Sequence, residues 1–405
     1  MRVLIADRLH ASALDELASL PVEVEYAPDL TREALADRIE HVGILVVRST
    51  EVTAEALARA KQLHLVVRAG AAYDNVDVKT ASARGIYVAY TPGKNAAAVA
   101  ELVFGHLVSL DRRIPDAVAS LRAGKWERLE FSKAEGLYGK TLGIAGFGSV
   151  GREVAARAKA FGMEVVAWSR SLSVAKAREA GVGHAKSLED LATKSQALSL
   201  HLPLTERTRG IVNAAVLKAL PERAMLINTA RAGLVDHAAL EAAIDERGLR
   251  VALDVRPEEP RTKTGTLEPL RVPPAGAGLL YGTPHIAAST DQAQLAIAGE
   301  TVRIIRSFLL QGEVPHAVNV ASGTPAQFQL VLRMVDRVGT LANVLGVLKR
   351  HGLNVLHITN ELFEGGTASC AKFKIASRPS EACLSEIRMF DEVLQVDAVP
   401  LPNFA

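Results

Sequence analysis

The sequence predicts an α/β fold with two parallel sheets covered by helices, followed by a small α+β domain. Short apolar runs alternate with amphipathic stretches over residues 1–90, and a second series of this kind begins at residue 141. A βαββαβ pattern occupies residues 326–405. Alternation of strands with helices is typical of parallel sheets, because each crossover lays a helix on the sheet.

The first series contains five apolar runs, each short enough for a strand, separated by amphipathic stretches such as SALDELASL and TREALADRIE. The runs are residues 3–6, 22–26, 43–47, 63–67 and 86–89. A long helical stretch follows, from about residue 96 to 121, with a break near Pro115. Proline lacks an N–H group and interrupts a helix, so two helices are expected here. A helix of this length can link two lobes.

The second series contains six runs that are apolar almost throughout, as expected of strands buried on both faces. They are residues 141–148, 163–168, 197–202, 224–228, 249–255 and 279–285. A helix over about 289–311 follows, and the small, polar segment 317–327 reads as a linker. These patterns predict three modules: two α/β lobes and the C-terminal α+β domain.

Composition excludes several classes of function. The 405 residues carry a formal net charge of +2, from 47 basic and 45 acidic residues, which is too balanced for a nucleic-acid binder. Cys370 and Cys383 make neither a disulfide framework nor a metal site, and they fit a reducing cytosol. No run approaches the roughly 20 apolar residues that a membrane span needs. We therefore expect a cytoplasmic protein that binds neither membrane nor metal.

The segment GFGSVG directly follows an apolar run and precedes a helical one, with Ser149 and Val150 between its last glycines. We expect Gly146 to form the tight turn, Gly148 to admit a pyrophosphate close to the backbone, and Gly151 to allow close helix–strand packing. The helix N-terminus then offers N–H groups to the phosphates. The pattern predicts a dinucleotide site.

The segment after the next strand bears on the choice of cofactor. NAD sites usually carry an acidic residue there, but this chain has Ser169, Arg170 and Ser171. An arginine with hydroxyl neighbours can bind a 2′-phosphate, whereas a carboxylate would repel it. The sequence therefore favours NADP over NAD. The alternative is an exposed arginine beside an NAD site.

Three further strand ends carry chemically useful side chains, Arg231, Glu259 and His285. Residues after the carboxyl ends of parallel strands line the ligand crevice. Histidine can take the hydroxyl proton during hydride removal, a carboxylate can orient the imidazole, and arginine can grip a carboxylate substrate. Glu258 competes with Glu259 for the carboxylate role, and Asp254 is placed to accept a hydrogen bond from a nicotinamide carboxamide.

Taken in order, these motifs resemble the D-isomer-specific 2-hydroxyacid dehydrogenase family over residues 3–320. The matching segments lie at residues 68–77, 136–151, 199–205, 228–236, 253–260 and 283–290. The resemblance implies hydride transfer between a nicotinamide dinucleotide and a D-2-hydroxy acid. It also implies a Rossmann-type doubly wound cofactor domain, residues 96–286, inserted into a flavodoxin-like substrate domain, residues 1–95 and 287–320.

The same resemblance assigns substrate and cofactor contacts, and it points to a phosphorylated substrate through segments 46–50 and 112–128. It implies that the turn at Arg68, Ala69, Gly70 and Ala71 presents backbone N–H groups to the substrate carboxylate. The remaining assignments are Arg48 and Ser49 for the phosphate, Asn95 and Lys94 at the crossing between lobes, and His201, Pro203 and Thr229 for the cofactor. Lys94 is expected to add a second positive contact to the substrate.

Within the family, the chain looks most like the members that oxidise 3-phosphoglycerate for serine biosynthesis. A glyoxylate or hydroxypyruvate reductase is the alternative in the same class, and the pair Ser169–Arg170 favours it. A cofactor-sensing interaction protein on the same fold is the alternative from another class. The family further implies a homodimer or homotetramer through the cofactor lobe.

Residues 326–405 resemble an ACT regulatory domain and retain its Gly339 and Asn354. Such a domain implies a small-molecule effector or a role in assembly. Serine-sensing versions carry histidine and asparagine where this chain has Met334 and Asp336. A thioether binds a serine ligand poorly and an aspartate repels its carboxylate, so serine is not the expected effector.

Overall fold

The computed structural model describes residues 1–260, 265–321, 323 and 325–402. The chain divides into two compact units, Met1–Asn319 and Val320–Ala405. The linker predicted over residues 317–327 includes Ser322 and Thr324, which lie outside the described residues, as do the last three residues of the predicted C-terminal domain.

The strands follow the predicted apolar runs closely. They are β1 (Arg2–Ile5), β2 (Glu23–Tyr26), β3 (Ile44–Val47), β4 (Leu65–Arg68), β5 (Tyr87–Tyr90), β6 (Thr141–Ala145), β7 (Glu164–Trp168), β8 (Gly183–His184), β9 (Ala197–Leu200), β10 (Met225–Asn228), β11 (Arg250–Leu253), β12 (Leu279–Gly282), β13 (Phe328–Val335), β14 (Val355–Leu362), β15 (Ala368–Ile375) and β16 (Val393–Pro400). The two-residue strand β8 was not predicted, because so short a run carries no periodic signal.

The helices of the first unit cover both faces of its sheets. They are α1 (Ala11–Ala18), α2 (Arg32–Arg38), α3 (Ala54–Arg59), α4 (Val78–Ala83), α5 (Ala96–Arg112), α6 (Ile114–Arg122), α7 (Arg128–Phe131), α8 (Ser149–Ala160), α9 (Val174–Glu179), α10 (Leu188–Thr193), α11 (Ala214–Ala219), α12 (His237–Arg247) and α13 (Asp291–Gln311). The predicted break near Pro115 is present. It falls at Arg113, whose φ of 52° ends α5, and Pro115 lies in the first turn of α6.

Two parallel sheets form the first unit. One has the order β2-β1-β3-β4-β5, and helix α13 packs against it through apolar side chains such as Ile297 and Ile304. The other has the order β12-β11-β10-β9-β6-β7-β8, and α5 packs against it through Val103 and Leu107. We call the first sheet with its helices the first lobe and the second sheet with its helices the second lobe.

Both sheets are doubly wound, and in both the strand order reverses next to the first strand of the sheet. The second lobe reverses between β6 and β9, the first between β1 and β3. Ligands of such sheets bind outside the carboxyl ends of strands at the reversal. The predicted α/β fold is therefore confirmed, and its topology puts a binding crevice at the ends of β6, β9 and β10.

The second unit has the predicted βαββαβ pattern. Its sheet has the order β14-β15-β13-β16, with antiparallel pairing throughout, and helices α14 (Thr340–Arg350) and α15 (Glu381–Arg388) contribute side chains to one apolar core with it. The core includes Phe373, Val344 and Ile387. Across the part of the chain that the structure describes, no helix has the length and apolarity needed to cross a bilayer.

Candidate active site

An imidazole and a carboxylate meet at the ends of two neighbouring strands of the second lobe. The Nδ1 atom of His285 lies 2.7 Å from Oε2 of Glu259, and the other oxygen of Glu259 accepts from the backbone N–H of Arg256 at 2.7 Å. Burial opposes ionisation of Glu259, but these hydrogen bonds outweigh it, so the pKa of its carboxyl lies below the usual range. The carboxylate thus fixes the ring and leaves Nε2 for other chemistry.

The structure distinguishes the two candidate carboxylates. Glu258 faces the guanidinium of Arg256 at 3.6 Å, whereas Glu259 bonds the imidazole of His285. Glu259 is therefore the ring's partner, as the sequence favoured.

Asp254 is buried beneath the loop that carries His285. One of its oxygens accepts from the Thr283 hydroxyl at 2.5 Å and from the N–H of Ile286 at 2.8 Å, and the other accepts from the N–H of Ala287 at 2.9 Å. The backbone of His285 has a φ of 53°, a left-handed conformation that a histidine seldom adopts. These bonds hold the strained turn in place. The bond from Asp254 to a nicotinamide carboxamide stays a prediction.

Arg231 reaches across the crevice to the first lobe. Its Nε and one terminal nitrogen donate to the two oxygens of Asp74, at 3.0 and 3.2 Å, and its other terminal nitrogen donates to the carbonyl of Ala230 at 2.8 Å. Although burial opposes ionisation of Asp74, the bonds from Arg231 hold its pKa below the usual value. The guanidinium is thereby fixed side-on, and the edge between its two terminal nitrogens keeps donor hydrogens for a carboxylate ligand.

The first lobe adds two more guanidinium groups at the ends of β3 and β4. Arg68 is the last residue of β4, and Arg48 directly follows the neighbouring strand β3. Both side chains are largely buried. Burial, reinforced by the cations of Arg231 and Arg48, lowers the pKa of Arg68 to about 10, so it stays charged at neutral pH. Its Nε has no hydrogen-bond partner among the described residues. An unpaired buried donor of this kind suits an anionic ligand.

A buried carboxylate supports the turn after β3. Oδ2 of Asp7, at the end of β1, accepts from the backbone N–H groups of Arg48, Ser49 and Thr50 at 2.7, 2.9 and 2.9 Å. Burial lowers the pKa of Arg48, and the charge of Asp7 opposes this effect. The backbone donors at Arg48 and Ser49 are therefore occupied, so a phosphate at the predicted place can be held only by side chains.

The turn after β4 has internal backbone hydrogen bonds. The N–H of Ala69 donates to Val47 at 2.7 Å, continuing the sheet ladder, and the N–H of Gly70 donates to Arg68 at 2.9 Å. Both groups thus have internal acceptors, while Ala71 has no backbone bond of this kind in the described structure, and the bonds from this turn to a substrate stay a prediction. The guanidinium of Arg68 folds over Gly70, where a side chain would overlap it.

The glycine turn between β6 and α8 fits a dinucleotide. Gly146 has a φ of 101°, and a side chain there would overlap the carbonyl of His201. A side chain at Gly151 would overlap the carbonyl of Gly146, whereas the space at Gly148 is open. Helix α8 begins at Ser149, which Val150 follows. No side chain caps its first turn, so the N–H groups of that turn face the crevice without a hydrogen-bond partner. The cradle has the form that a pyrophosphate needs.

Further polar groups surround the cradle. The hydroxyl of Thr229 and the amide oxygen of Asn95 are buried without hydrogen-bond partners among the described residues, so both are available to a ligand. The N–H of His201 donates to Ala145, and burial lowers the pKa of its ring to about 3, so the ring is neutral. Pro203 follows in the same loop, after β9.

A cleft of about 580 Å³ lies beyond the cradle, where an adenosine would extend. It is lined by Phe147, Arg152, Ser169, Ser171, Leu172, Lys176, Glu179 and Ala180. Two predicted serines are thus in place, and two lysine or arginine side chains that the sequence analysis had not named join them. Arg170 lies exposed in the same turn.

Lys94 does not line the substrate site as a free cation. Its ammonium group pairs with Glu300 of α13 at 3.1 Å, and the same carboxylate bonds Arg303 at 2.5 Å and His316 at 3.0 Å. The bond from Arg303, followed by the effect of Lys94, lowers the pKa of Glu300 to about 2. This cluster ties the strand-to-helix crossing before α5 to the helix that returns to the first lobe.

Three of the charged groups at the crevice escaped the sequence analysis: Asp7, the side chain of Arg68, and Asp74. A signal existed for Arg68, because Arg48 and Arg68 each stand at a strand end, and neighbouring parallel strands bring such ends together. Asp74 gave none, since its partner Arg231 is 157 positions away.

Comparisons with known proteins agree with this geometry. A profile of the D-isomer specific 2-hydroxyacid dehydrogenase NAD-binding domain matches residues 104–287. A D-3-phosphoglycerate dehydrogenase of Methanocaldococcus jannaschii is 36% identical over 346 residues, which are 84% of this chain and 64% of that protein. The chain therefore spans a little less than two thirds of that relative's length.

This chain covers two other similar proteins almost completely. A hydroxypyruvate reductase of Thermotoga maritima is 38% identical over 306 residues, 75% of this chain and 97% of that protein. The crystal structure of a 3-phosphoglycerate dehydrogenase of Entamoeba histolytica with bound NAD⁺ matches with a TM-score of 0.63 at 26% identity, covering 79% of this chain and 99% of the other. On these matches and on the paired His285 and Glu259, the chain belongs to the D-isomer specific 2-hydroxyacid dehydrogenase family.

Proposed function

We propose that this protein interconverts a D-2-hydroxy acid and its 2-keto acid by hydride transfer with a nicotinamide dinucleotide. The observation that carries the proposal is the meeting of three groups from distant parts of the chain. The imidazole of His285 is held by Glu259, and Arg231 is fixed beside them closely enough to lower the pKa of Glu259. Such a set supplies a proton acceptor, its orienting carboxylate and a carboxylate anchor.

The chain's own residues divide the work as follows. Arg231 binds the substrate carboxylate through the edge that Asp74 leaves available. His285 takes the hydroxyl proton at Nε2 during oxidation and returns it during reduction, while Glu259 stabilises the charged ring. When bound, the nicotinamide supplies or accepts the hydride. The neutral ring of His201 forms part of the wall beneath the cradle and takes no proton.

We propose a phosphorylated substrate, with 3-phosphoglycerate as the first candidate. Arg48 and Arg68 add two buried positive charges beside Arg231, whereas a plain hydroxy acid needs only the one anchor that Arg231 supplies. The orphan Nε of Arg68 supports a second anionic group on the ligand. The relatives named phosphoglycerate dehydrogenase agree with this choice.

Reduction of hydroxypyruvate or glyoxylate is the second candidate. The relative that this chain covers almost fully is named hydroxypyruvate reductase. In that case Arg48 and Arg68 would attract anionic substrates into the cleft without binding a phosphate.

NAD(H) fits the family, and for this chain we propose a preference for NADP. The cleft beyond the glycine cradle has hydroxyls from Ser169 and Ser171 and cations from Arg152 and Lys176. Hydroxyls and cations bind a 2′-phosphate, and the strand end lacks the acid that would repel it.

We also propose that the protein assembles through the second lobe. Side chains of α6, α7 and the loops before and after α7 leave large apolar surfaces exposed, including Trp126 at 81%, Leu129 at 85% and Tyr138 at 88%. Exposed apolar surface of this kind is typical of protein interfaces. Met334 is buried in the apolar core of the C-terminal unit and offers serine no hydrogen bond, so we propose that this unit either binds an effector other than serine or serves assembly alone. The unpaired Cys370 and Cys383 suit the cytoplasm.

The test is an activity panel. Purified protein is offered phosphohydroxypyruvate, hydroxypyruvate and glyoxylate with NADH and NADPH, and 3-phosphoglycerate with the oxidised forms. Turnover with the phosphorylated acids at the highest kcat/KM supports the first candidate. Preference for hydroxypyruvate or glyoxylate selects the second, and absence of turnover with every pair overturns both.

A further inference from the structure

The turn after β3 holds a cradle of three successive backbone N–H groups, and the protein fills it with its own carboxylate. Oδ2 of Asp7 accepts all three bonds, from residues 48–50, at 2.7–2.9 Å. Asp7 is 4% exposed, so its carboxylate is buried beneath the turn and does not lie on the protein surface. Successive N–H groups of this kind form an anion-binding concavity.

The cradle borders the proposed anion site. Arg68 interacts electrostatically with Arg231, Asp74, Arg48 and Asp7, so these five groups form one cluster. Three guanidinium groups face two carboxylates, which leaves the cluster one positive charge in excess. A carboxylate ligand on Arg231 neutralises that excess. A phosphate at the other end of the ligand must then bind to side chains alone, in the field of Asp7.

We propose that Asp7 is a specificity-determining residue, which sets how strongly the cleft prefers phosphorylated over unphosphorylated 2-keto acids. It does so in two ways. Its carboxylate denies a ligand anion the N–H groups of residues 48–50, and its charge offsets one of the guanidinium groups beside them. The proposal rests on the proposed function, because it assumes that the ligand's carboxylate binds Arg231.

The first test compares two ligands on Asp7→Asn. Asparagine keeps an oxygen to accept the three N–H bonds and removes the charge. Binding of phosphohydroxypyruvate and of hydroxypyruvate is measured by calorimetry with the oxidised cofactor present, so that no hydride is transferred. We expect the ratio of the two affinities to rise at least threefold in favour of the phosphorylated ligand, because the buried negative charge beside the phosphate is removed.

Asp37→Asn is the matched control, since it removes one acid of the same lobe that pairs with Arg59 on the exposed surface. It should leave the ratio unchanged. A ratio that is equal in wild type and Asp7→Asn would show that Asp7 only tethers the turn and would overturn the proposal.

A second variant covers the case in which Asp7→Asn does not fold. Asp7→Ala empties the cradle, so inorganic phosphate should bind it at least tenfold more tightly than it binds wild type, and formate should compete with that phosphate. Equal phosphate binding in both proteins contradicts the proposal. The failure of the proposed function looks different: wild type would then bind neither 2-keto acid and turn over neither.

Discussion

The two lobes of the first unit contribute different kinds of groups to the crevice. The second lobe contributes backbone shape and short loops: the glycine turn at Gly146 and the strand-end loops that carry Glu259 and His285. The first lobe contributes charges, in which the largely buried Arg48 and Arg68 face the buried Asp7 and the more exposed Asp74. We therefore expect chemistry and cofactor binding to depend on conformation in the second lobe, and substrate preference to depend on electrostatics in the first.

The difference predicts how each lobe responds to change. A substitution in the second lobe should alter turnover or cofactor affinity for every substrate alike. One in the first lobe should discriminate among substrates or change stability with pH. The following experiments separate these two kinds of response.

The largest effect is expected from His285→Ala, which removes the only predicted proton acceptor. Turnover should fall by a factor of about 10² or more with each 2-keto acid, because general acid–base catalysis contributes on that order. Glu258→Ala is the matched control, since Glu258 pairs with Arg256 rather than with the imidazole. Steady-state rates at saturating substrate provide the measurement. A loss confined to one substrate would contradict the division between the lobes.

Glu300→Gln should reveal the electrostatic character of the first lobe through stability. The pKa of Glu300 is lowered to about 2, so its ionised form contributes free energy of folding above its unfolded pKa. That contribution is lost as pH falls through the folded value, between about pH 5 and 2. We expect wild type to be more stable than Glu300→Gln by about 2 kcal/mol at pH 7, with the difference vanishing towards pH 2.

Denaturant unfolding at several pH values measures this difference. Glu33→Gln, at an exposed position of the same lobe, is the control and should show little change at any pH. A Glu300→Gln deficit that stays constant from pH 7 to pH 3 would assign the effect to packing rather than to charge.

Gly146→Ala tests the backbone cradle of the second lobe. A Cβ at this position meets the carbonyl of His201 and the residue must keep a φ of 101°, so the turn has to shift. We expect affinity for the reduced cofactor to fall about tenfold or more, as measured by fluorescence titration. Gly210→Ala is the control, because Gly210 also has a positive φ but open space around it. Equal cofactor affinity in the two variants would deny the cradle its assigned place.

The smallest expected effect concerns cofactor choice. Arg170→Asp puts an acid beside Ser169 and Ser171, so the ratio of kcat/KM for NADPH to that for NADH should fall by about fivefold or more. The change should be the same for all substrates, since it lies in the second lobe. Arg178→Asp, on the exposed side of α9, should leave the ratio where it was. An unchanged ratio in Arg170→Asp would remove the NADP assignment.

The same difference between the lobes explains what the sequence could predict. The glycine turn, His285 and Glu259 lie within short local motifs whose residue types specify their geometry, so they could be read directly. The pair Asp74–Arg231 depends on two lobes meeting, and no local pattern encodes it. The backbone N–H of Ala69 bonds the neighbouring strand and that of Gly70 bonds within its own turn, which the sequence could not indicate because strand register and turn geometry set both; their role towards a substrate stays a prediction.

A crystal structure of the protein with oxidised cofactor and a D-2-hydroxy acid tests the central claim most directly. The account predicts the ligand's carboxylate on the terminal nitrogens of Arg231 and its hydroxyl within about 3.2 Å of Nε2 of His285. A ligand bound elsewhere in the crevice, or one whose hydroxyl faces away from His285, would contradict the account.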